Sequence, residues 1–255
     1  MRRLLTALVL APAVLYIVLL PQYKPLFFLV TAVAALCYYE FGGLAGLRVT
    51  EIGLGIAAGT VLLYVRAETA LLTVTFMVLL FLVLALRFHN LSEVLPVASA
   101  QAMGLLYIYG AWNTALFLHD INPYWLVFGL AVNWVGDTAA YYVGRSFGRH
   151  KLTARVSPGK SWEGSFASVC GSVAFGIAFL HFAIPTVKIW EMVLISVVAN
   201  VAGQVGDLVE SAMKRGAGVK DSGTLLPGHG GWLDRVDSSL FSLPVLYGFL
   251  YFFAI

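Results

Sequence analysis

Apolar residues fall into nine runs along this chain, broken by short polar intervals: roughly 4–20, 26–45, 52–65, 69–86, 94–118, 124–143, 164–184, 190–213 and 238–254. Most approach the ~20 residues a helix needs to cross roughly 30 Å of hydrocarbon. Backbone polar groups in lipid must be satisfied within the segment, so long apolar runs predict helices and not open strands. The pattern predicts an all-α polytopic integral membrane protein of about nine transmembrane helices. Residues 1–255 read as a single membrane domain, with N-terminal helical spans over 1–120 and the chemistry-bearing spans and loops over 121–255. The first run resembles a signal peptide, with Ala11-Pro12-Ala13 as a cleavage-like site. It continues to Leu20, however, and reads as an uncleaved span. Asp237-Ser238-Ser239 are favourable N-cap residues, so the last helix is expected to begin there and to bend at Pro244.

Charge fixes an orientation on this pattern. With the N-terminus in the cytoplasm, thirteen of the sixteen Lys and Arg residues lie on the cytoplasmic side. Only Lys24, Arg66 and Lys188 lie opposite. The positive-inside rule therefore favours nine crossings, with the C-terminus outside. Two long basic loops, 144–163 and 214–237, then emerge on one face. Attraction to anionic lipid is the simplest use of such loops. The carboxylates in the second loop argue for more.

Composition agrees with the pattern: 60% of residues are hydrophobic and 11% charged, and the mean hydropathy is +0.86. Two cysteines, Cys37 and Cys170, lie inside apolar runs and offer neither a disulfide framework nor a CxxC metal site. Against this background, Ser211–Asp237 (SAMKRGAGVKDSGTLLPGHGGWLDRVD) gathers four cations, three carboxylates, one histidine and six glycines.

Acids inside membrane spans are costly and point to function. Asp137 lies in the sixth run; Asp207 and Glu210 lie in the eighth. Asn200, Gly203, Asp207, Glu210, Ser211 and Lys214 recur at three- and four-residue steps and share one helix face. A polar helix–helix contact with Lys214 as partner is the plain reading. A metal site shared with Asp221, Asp234 and Asp237 is the sharper one. Carboxylates without an excess of His or Cys suit a hard cation, Mg²⁺ above all. Lys214, Arg215, Lys220 and Arg235 suit phosphate oxygens, and the glycines allow close backbone approach. Together these point to phosphoryl or nucleotidyl transfer. Glu40 and Glu163 sit near run ends and read as snorkelling side chains. Gly159-Lys160-Ser161 is not a P-loop, because Ala154 stands where the first glycine would fall. Ser157-Pro158 reads as a turn before a helix near Trp162. His229 suits a phosphate contact or a proton donor, or a backbone-satisfied loop position. No HExxH exists to support a zinc protease.

The pattern Ser211-x-x-Lys214-Arg215-x₄-Lys220-Asp221-x-Gly223-x₂-Leu226-Pro227-x-His229-Gly230-Gly231-x-x-Asp234-Arg235-x-Asp237 resembles the signature of phosphatidate cytidylyltransferases, or CDP-diacylglycerol synthases. A second block agrees: Asp137-Thr138-x-Ala140-Tyr141, Gly144-Arg145, and Ser157-Pro158-x-Lys160-Ser161-Trp162-Glu163-Gly164. Trp232, Gly159 and Ser161 depart from the usual residues. The resemblance implies CTP and phosphatidic acid as substrates, membrane lipid as surroundings, a homodimer, and no nucleic-acid partner. It implies Mg²⁺, with a potassium ion as a second cation. The expected metal ligands are Asp207, Asp234, Asp237 and Asp137, and the expected catalytic residues are Asp207, Asp234, Asp221, Asp237 and Lys220. Substrate contacts are expected from Ser157, Lys160, Ser211, Lys214, Arg215, His229, Gly230, Gly231 and Arg235. The short loops suggest a bacterial inner membrane with the site on its cytoplasmic side. A transporter would spread its polar groups through the membrane depth, and a CDP-alcohol transferase would carry a DGxxAR run, absent here.

Overall fold

The computed structural model describes residues 12–20, 22–65, 67–225 and 230–253. Residues 12–19 are helical (α1); the rest of the first predicted span lies outside the described residues. There follow α2 (Tyr23–Leu44), α3 (Val49–Tyr64), α4 (Ala67–Phe88), α5 (Leu91–Gly104), a π-helical turn (Leu105–Gly110) and α6 (Ala111–Ile121). Next come α7 (Pro123–Phe147), a two-stranded hairpin of β1 (Lys151–Thr153) and β2 (Ser157–Ser161), α8 (Trp162–Ala183), α9 (Ile189–Gly216) and α10 (Leu233–Phe253). The protein is an all-α membrane protein apart from this hairpin.

Among the described residues, six helical stretches are long and apolar enough to cross a membrane: Tyr23–Leu44, Glu68–Arg87, Leu91–Ile121, Trp162–Ala183, Ile189–Gly216 and Leu233–Phe253. At 16 residues, α3 is apolar but shorter. In α7, Asn133, Asp137, Thr138 and Arg145 dilute the hydropathy. Helix α4 shows the setting most directly. Its Leu71 is 81% exposed, and Leu72, Phe76, Leu79 and Val83 are also exposed. So continuous an apolar face is suited to lipid and not to water.

The chain divides into two compact units. One takes 22–113 and 221–233. In it α2 packs on α3, α5 and the π turn, and α4 packs on α5. Tyr38 and Tyr109, both fully buried, meet with ring centroids 5.8 Å apart. The other unit takes 12–20, 114–220 and 234–253. There α7, α8 and α9 pack on one another. Buried Phe128 of α7 stacks on Phe175 and Phe179 of α8. Asn133 of α7 donates to Ser242 Oγ of α10 at 2.7 Å. Gly203 of α9 leaves room for this Asn133 side chain, which any Cβ there would strike.

Three expectations are corrected. Ser157-Pro158 opens β2 instead of forming a turn: Thr153 pairs with Ser157 and Lys151 with Ser161. The last helix starts at Leu233, not at Asp237-Ser238-Ser239, and those serines are buried within it. Its earliest N–H groups have an acceptor from elsewhere, as described below. Glu40 does not snorkel; it is 4% exposed and lies within α2.

Candidate active site

Helix α9 builds the site. Asn200, Gln204, Asp207, Ser211 and Lys214 step along it by four and three residues, which keeps them on one face. In its upper part this stripe is knitted to α8. Asn200 Nδ2 donates to Ser168 Oγ at 3.0 Å, and Gln204 Nε2 donates to Asn200 Oδ1 at 2.7 Å and to the Ser165 carbonyl at 3.3 Å. Ser165 Oγ in turn donates to Gln204 Oε1. These amides satisfy one another, as buried polar groups must.

Below that network the stripe becomes charged. Lys160 Nζ of β2 donates to Asp207, and Ser211 Oγ donates to the same carboxylate at 3.4 Å. The hairpin makes this reach possible: β2 leads directly into α8, whose N-terminus is capped by Ser161 Oγ accepting from Gly164 N–H at 3.2 Å. Asp207 and Lys160 line a cavity of about 480 Å³ together with Asp137, Tyr141, Arg145, Ser161, Ser165 and Gln204. Arg145 Nη1 donates to Tyr141 OH at 2.9 Å. That volume lies within the ~300–1,000 Å³ typical of small-molecule sites.

One turn further on, Lys214 lies 2.6 Å from Glu210, which is fully buried, and 2.5 Å from Asp234 of α10. Asp237, one turn along α10, is within electrostatic reach of Asp207, Lys214 and Asp137. Its Oδ1 accepts from Ser238 N–H at 2.7 Å. The structure thus brings together Asp137, Lys160, Asp207, Ser211, Lys214, Asp234 and Asp237. The plain reading of Lys214 has a basis in this geometry, since the lysine bridges two acids of neighbouring helices.

Ser157 is in the hairpin but not among the residues lining the cavity. Arg215 is exposed and donates to the Val219 carbonyl at 3.2 Å, at the C-terminal end of α9. Lys220 and Arg235 are exposed. Asp221, Gly230 and Gly231 belong to the other compact unit. Gly230 there has φ +79°, the left-handed region that favours glycine. His229 lies outside the described residues. Sequence reasoning missed Gln204, Ser165 and Ser168, although the α9 periodicity passes through Gln204. It noticed Glu40 but read it as snorkelling, whereas the structure buries it.

Among the described residues, no group of three or more His, Cys, Asp or Glu side chains is gathered to hold a metal ion. The donor chemistry nevertheless fits a hard cation. Among the described residues, Lys160 contacts Asp207, and Lys214 contacts Glu210 and Asp234, while Asp137 and Asp237 lie within electrostatic reach of Asp207. Mg²⁺ takes one or two protein carboxylates and completes its shell with water and substrate phosphate, so a sparse all-oxygen set suits it.

The cytidylyltransferase family matches residues 1–253. A protein of Staphylococcus haemolyticus (strain JCSC1435) named phosphatidate cytidylyltransferase is 37% identical over 180 residues, which is 69% of this chain and 66% of that protein. Proteins of the same name from Staphylococcus epidermidis (strain ATCC 12228 / FDA PCI 1200) and Staphylococcus aureus (strain COL) are 37% and 35% identical, with the same coverage. The matched part of the chain spans just under two thirds of these relatives' length.

Proposed function

This chain belongs to the cytidylyltransferase family, and on that premise we propose that it transfers the cytidylyl group of CTP to phosphatidic acid, giving CDP-diacylglycerol and pyrophosphate. The observation that carries the reading is the cavity in which Asp207, Asp137 and Lys160 meet at the end of a membrane helix. A polyanion and a lipid phosphate would both be held there, with the acyl chains left in the bilayer.

Phosphatidate needs no strong general base, since the second pKa of a phosphomonoester is about 6. One of its phosphate oxygens attacks the α-phosphorus of CTP in line. A new P–O bond forms, the bond from the α-phosphorus to the bridging oxygen breaks, and pyrophosphate leaves with the electron pair. Lys160 and Lys214 turn from their aspartates toward phosphate oxygens, and Arg145 supports the polyanion from the cavity wall. Asp207, Asp234, Asp237 and Asp137 would hold Mg²⁺, with a potassium ion sharing the site. The metal would supply neutralisation of charge on the reacting phosphates. Exposed Arg215, Lys220 and Arg235 would gather the incoming nucleotide electrostatically, while Ser157, Ser211, Asp221, His229, Gly230 and Gly231 would complete the contacts.

The same reading includes nine spans, a cytoplasmic N-terminus, an outside C-terminus and a homodimer in a bacterial inner membrane, with the site facing the cytoplasm. The excess of Lys and Arg on one side supports that orientation. The deciding experiment gives the detergent-purified protein labelled CTP, phosphatidic acid and Mg²⁺. A lipid-soluble cytidine product is expected, and a chelator should abolish it until Mg²⁺ is restored. No such product in any of several detergents or lipid mixtures would refute the assignment.

A further inference from the structure

Glu40 has no place in the chemistry so far. It is a carboxylate buried inside an apolar helix, and among the described residues it accepts three hydrogen bonds from one distant segment. Its Oε2 accepts from Ser222 Oγ at 2.8 Å and from Leu233 N–H at 2.9 Å, and its Oε1 accepts from Trp232 N–H at 3.0 Å. One side chain therefore ties both ends of the 222–233 segment together. Two glycines are fitted to it. A Cβ on Gly223 would come within 2.5 Å of Glu40 Oε1, and a Cβ on Gly231 would strike the same carboxyl group. The pinned residues have telling neighbours: Asp221 immediately precedes Ser222, and Asp234 immediately follows Leu233.

We infer that Glu40 is a positioning residue: it clamps the two ends of the 222–233 segment and thereby sets where Asp221 and Asp234 stand for nucleotide binding. The kinetic consequence rests on the proposed cytidylyl transfer; the clamp itself does not. A carboxylate is the group suited to the task, because it accepts at both oxygens. Glutamine would place an NH₂ donor against N–H or O–H donors. Buried donors left without an acceptor are costly, so the segment would be released from the clamp.

The test uses the full chain in detergent, with Glu40→Gln, Gly223→Ala and the double variant. Hydrogen exchange at the Trp232 and Leu233 amides reads the clamp without reference to turnover. Each single variant should exchange roughly tenfold faster there, as expected for loss of a bond contributing about 1.4 kcal/mol. The KM for CTP should rise by a similar factor, with kcat at saturating CTP and the KM for phosphatidate little changed. The double variant should be no worse than the poorer single one, because Gly223→Ala acts by displacing the side chain that Glu40→Gln alters. Where Glu40→Gln does not fold, Ser222→Ala removes one of the three bonds and should show the same effects more weakly. Unchanged exchange at both amides would overturn the clamp. So would an unchanged KM for CTP accompanied only by fewer active molecules, the mark of a merely structural role. Failure of the wild-type protein to turn over CTP would instead sink the functional reading, and exchange would still decide the clamp.

Discussion

Two lysines occupy ground on which the sequence suggested a cation would sit. Lys160 lies on Asp207, and Lys214 lies between Glu210 and Asp234. Each lysine holds an acid in place, and in the proposed reaction each would exchange that acid for a phosphate. Replacing Asp207 with Asn should therefore lower kcat/KM for CTP by at least ~10²–10³-fold, the scale of losing one preorganised charge partner. Membrane insertion should be normal, and turnover near wild type would remove Asp207 from the site. Lys160→Met should weaken CTP use while leaving the α8–α9 amide network intact, measurable as a raised KM with an unchanged unfolding temperature. Away from this site, His89 hydrogen-bonds Glu93 at 2.9 Å and also contacts Glu51. These bonds, Glu93 first and Glu51 second, raise the His89 pKa against the opposing influences of burial and Arg48. A raised folded-state pKa means the stabilisation is fully present below the unfolded value of about 6.5 and is lost as pH climbs through the higher folded value. The unfolding temperature should fall as pH rises through neutrality, and His89→Gln should flatten that part of the profile.

At the scale of elements, legibility depended on repetition. The three- and four-residue steps of α9 placed Asp207, Ser211 and Lys214 on one face before any coordinates, because a helix repeats its geometry often enough to print it on the sequence. The apolar runs likewise marked most helices to within a few residues. The hairpin left no such trace. Its strands span three and five residues, too short for an alternation to stand out, and Ser157 with Pro158 looked like a turn. The start of α10 was misplaced for a different reason. Local cap residues at 237–239 gave a sound signal, but the N–H groups of Trp232 and Leu233 found Glu40, 192 and 193 positions away. No local rule sees such a partner. Ser161 is a local cap and should obey local rules. Ser161→Ala should destabilise the protein by about 1 kcal/mol, read as a lowered unfolding midpoint. Gly203→Ala should cost more, because its Cβ would meet the Asn133 amide within the α7–α9 packing.

For the whole molecule, the charge asymmetry makes a direct claim about sidedness. In a cysteine-free background, Lys151→Cys in the hairpin and Lys220→Cys beyond α9 should react with a membrane-impermeant maleimide from the cytoplasmic side, and Lys188→Cys from the opposite side. Labelling of Lys151→Cys and Lys220→Cys from opposite faces would break the nine-span topology. The division into two units adds something a span count does not contain. The chain leaves the 22–113 unit, builds most of the other, and then returns for thirteen residues, 221–233, before leaving again.

Those returning residues have a consequence in time. Glu40 is made early, and its partners at Ser222, Trp232 and Leu233 are made 182 to 193 residues later. At a synthesis rate of about 5–20 residues per second, roughly ten to forty seconds separate the acid from the donors that satisfy it. For that interval α2 carries a carboxyl group without its final company, although its neighbours α3, α5 and the π turn are laid down early in it. The helix can insert promptly, but its unit can close only near the end of translation, when the segment flanked by Asp221 and Asp234 arrives.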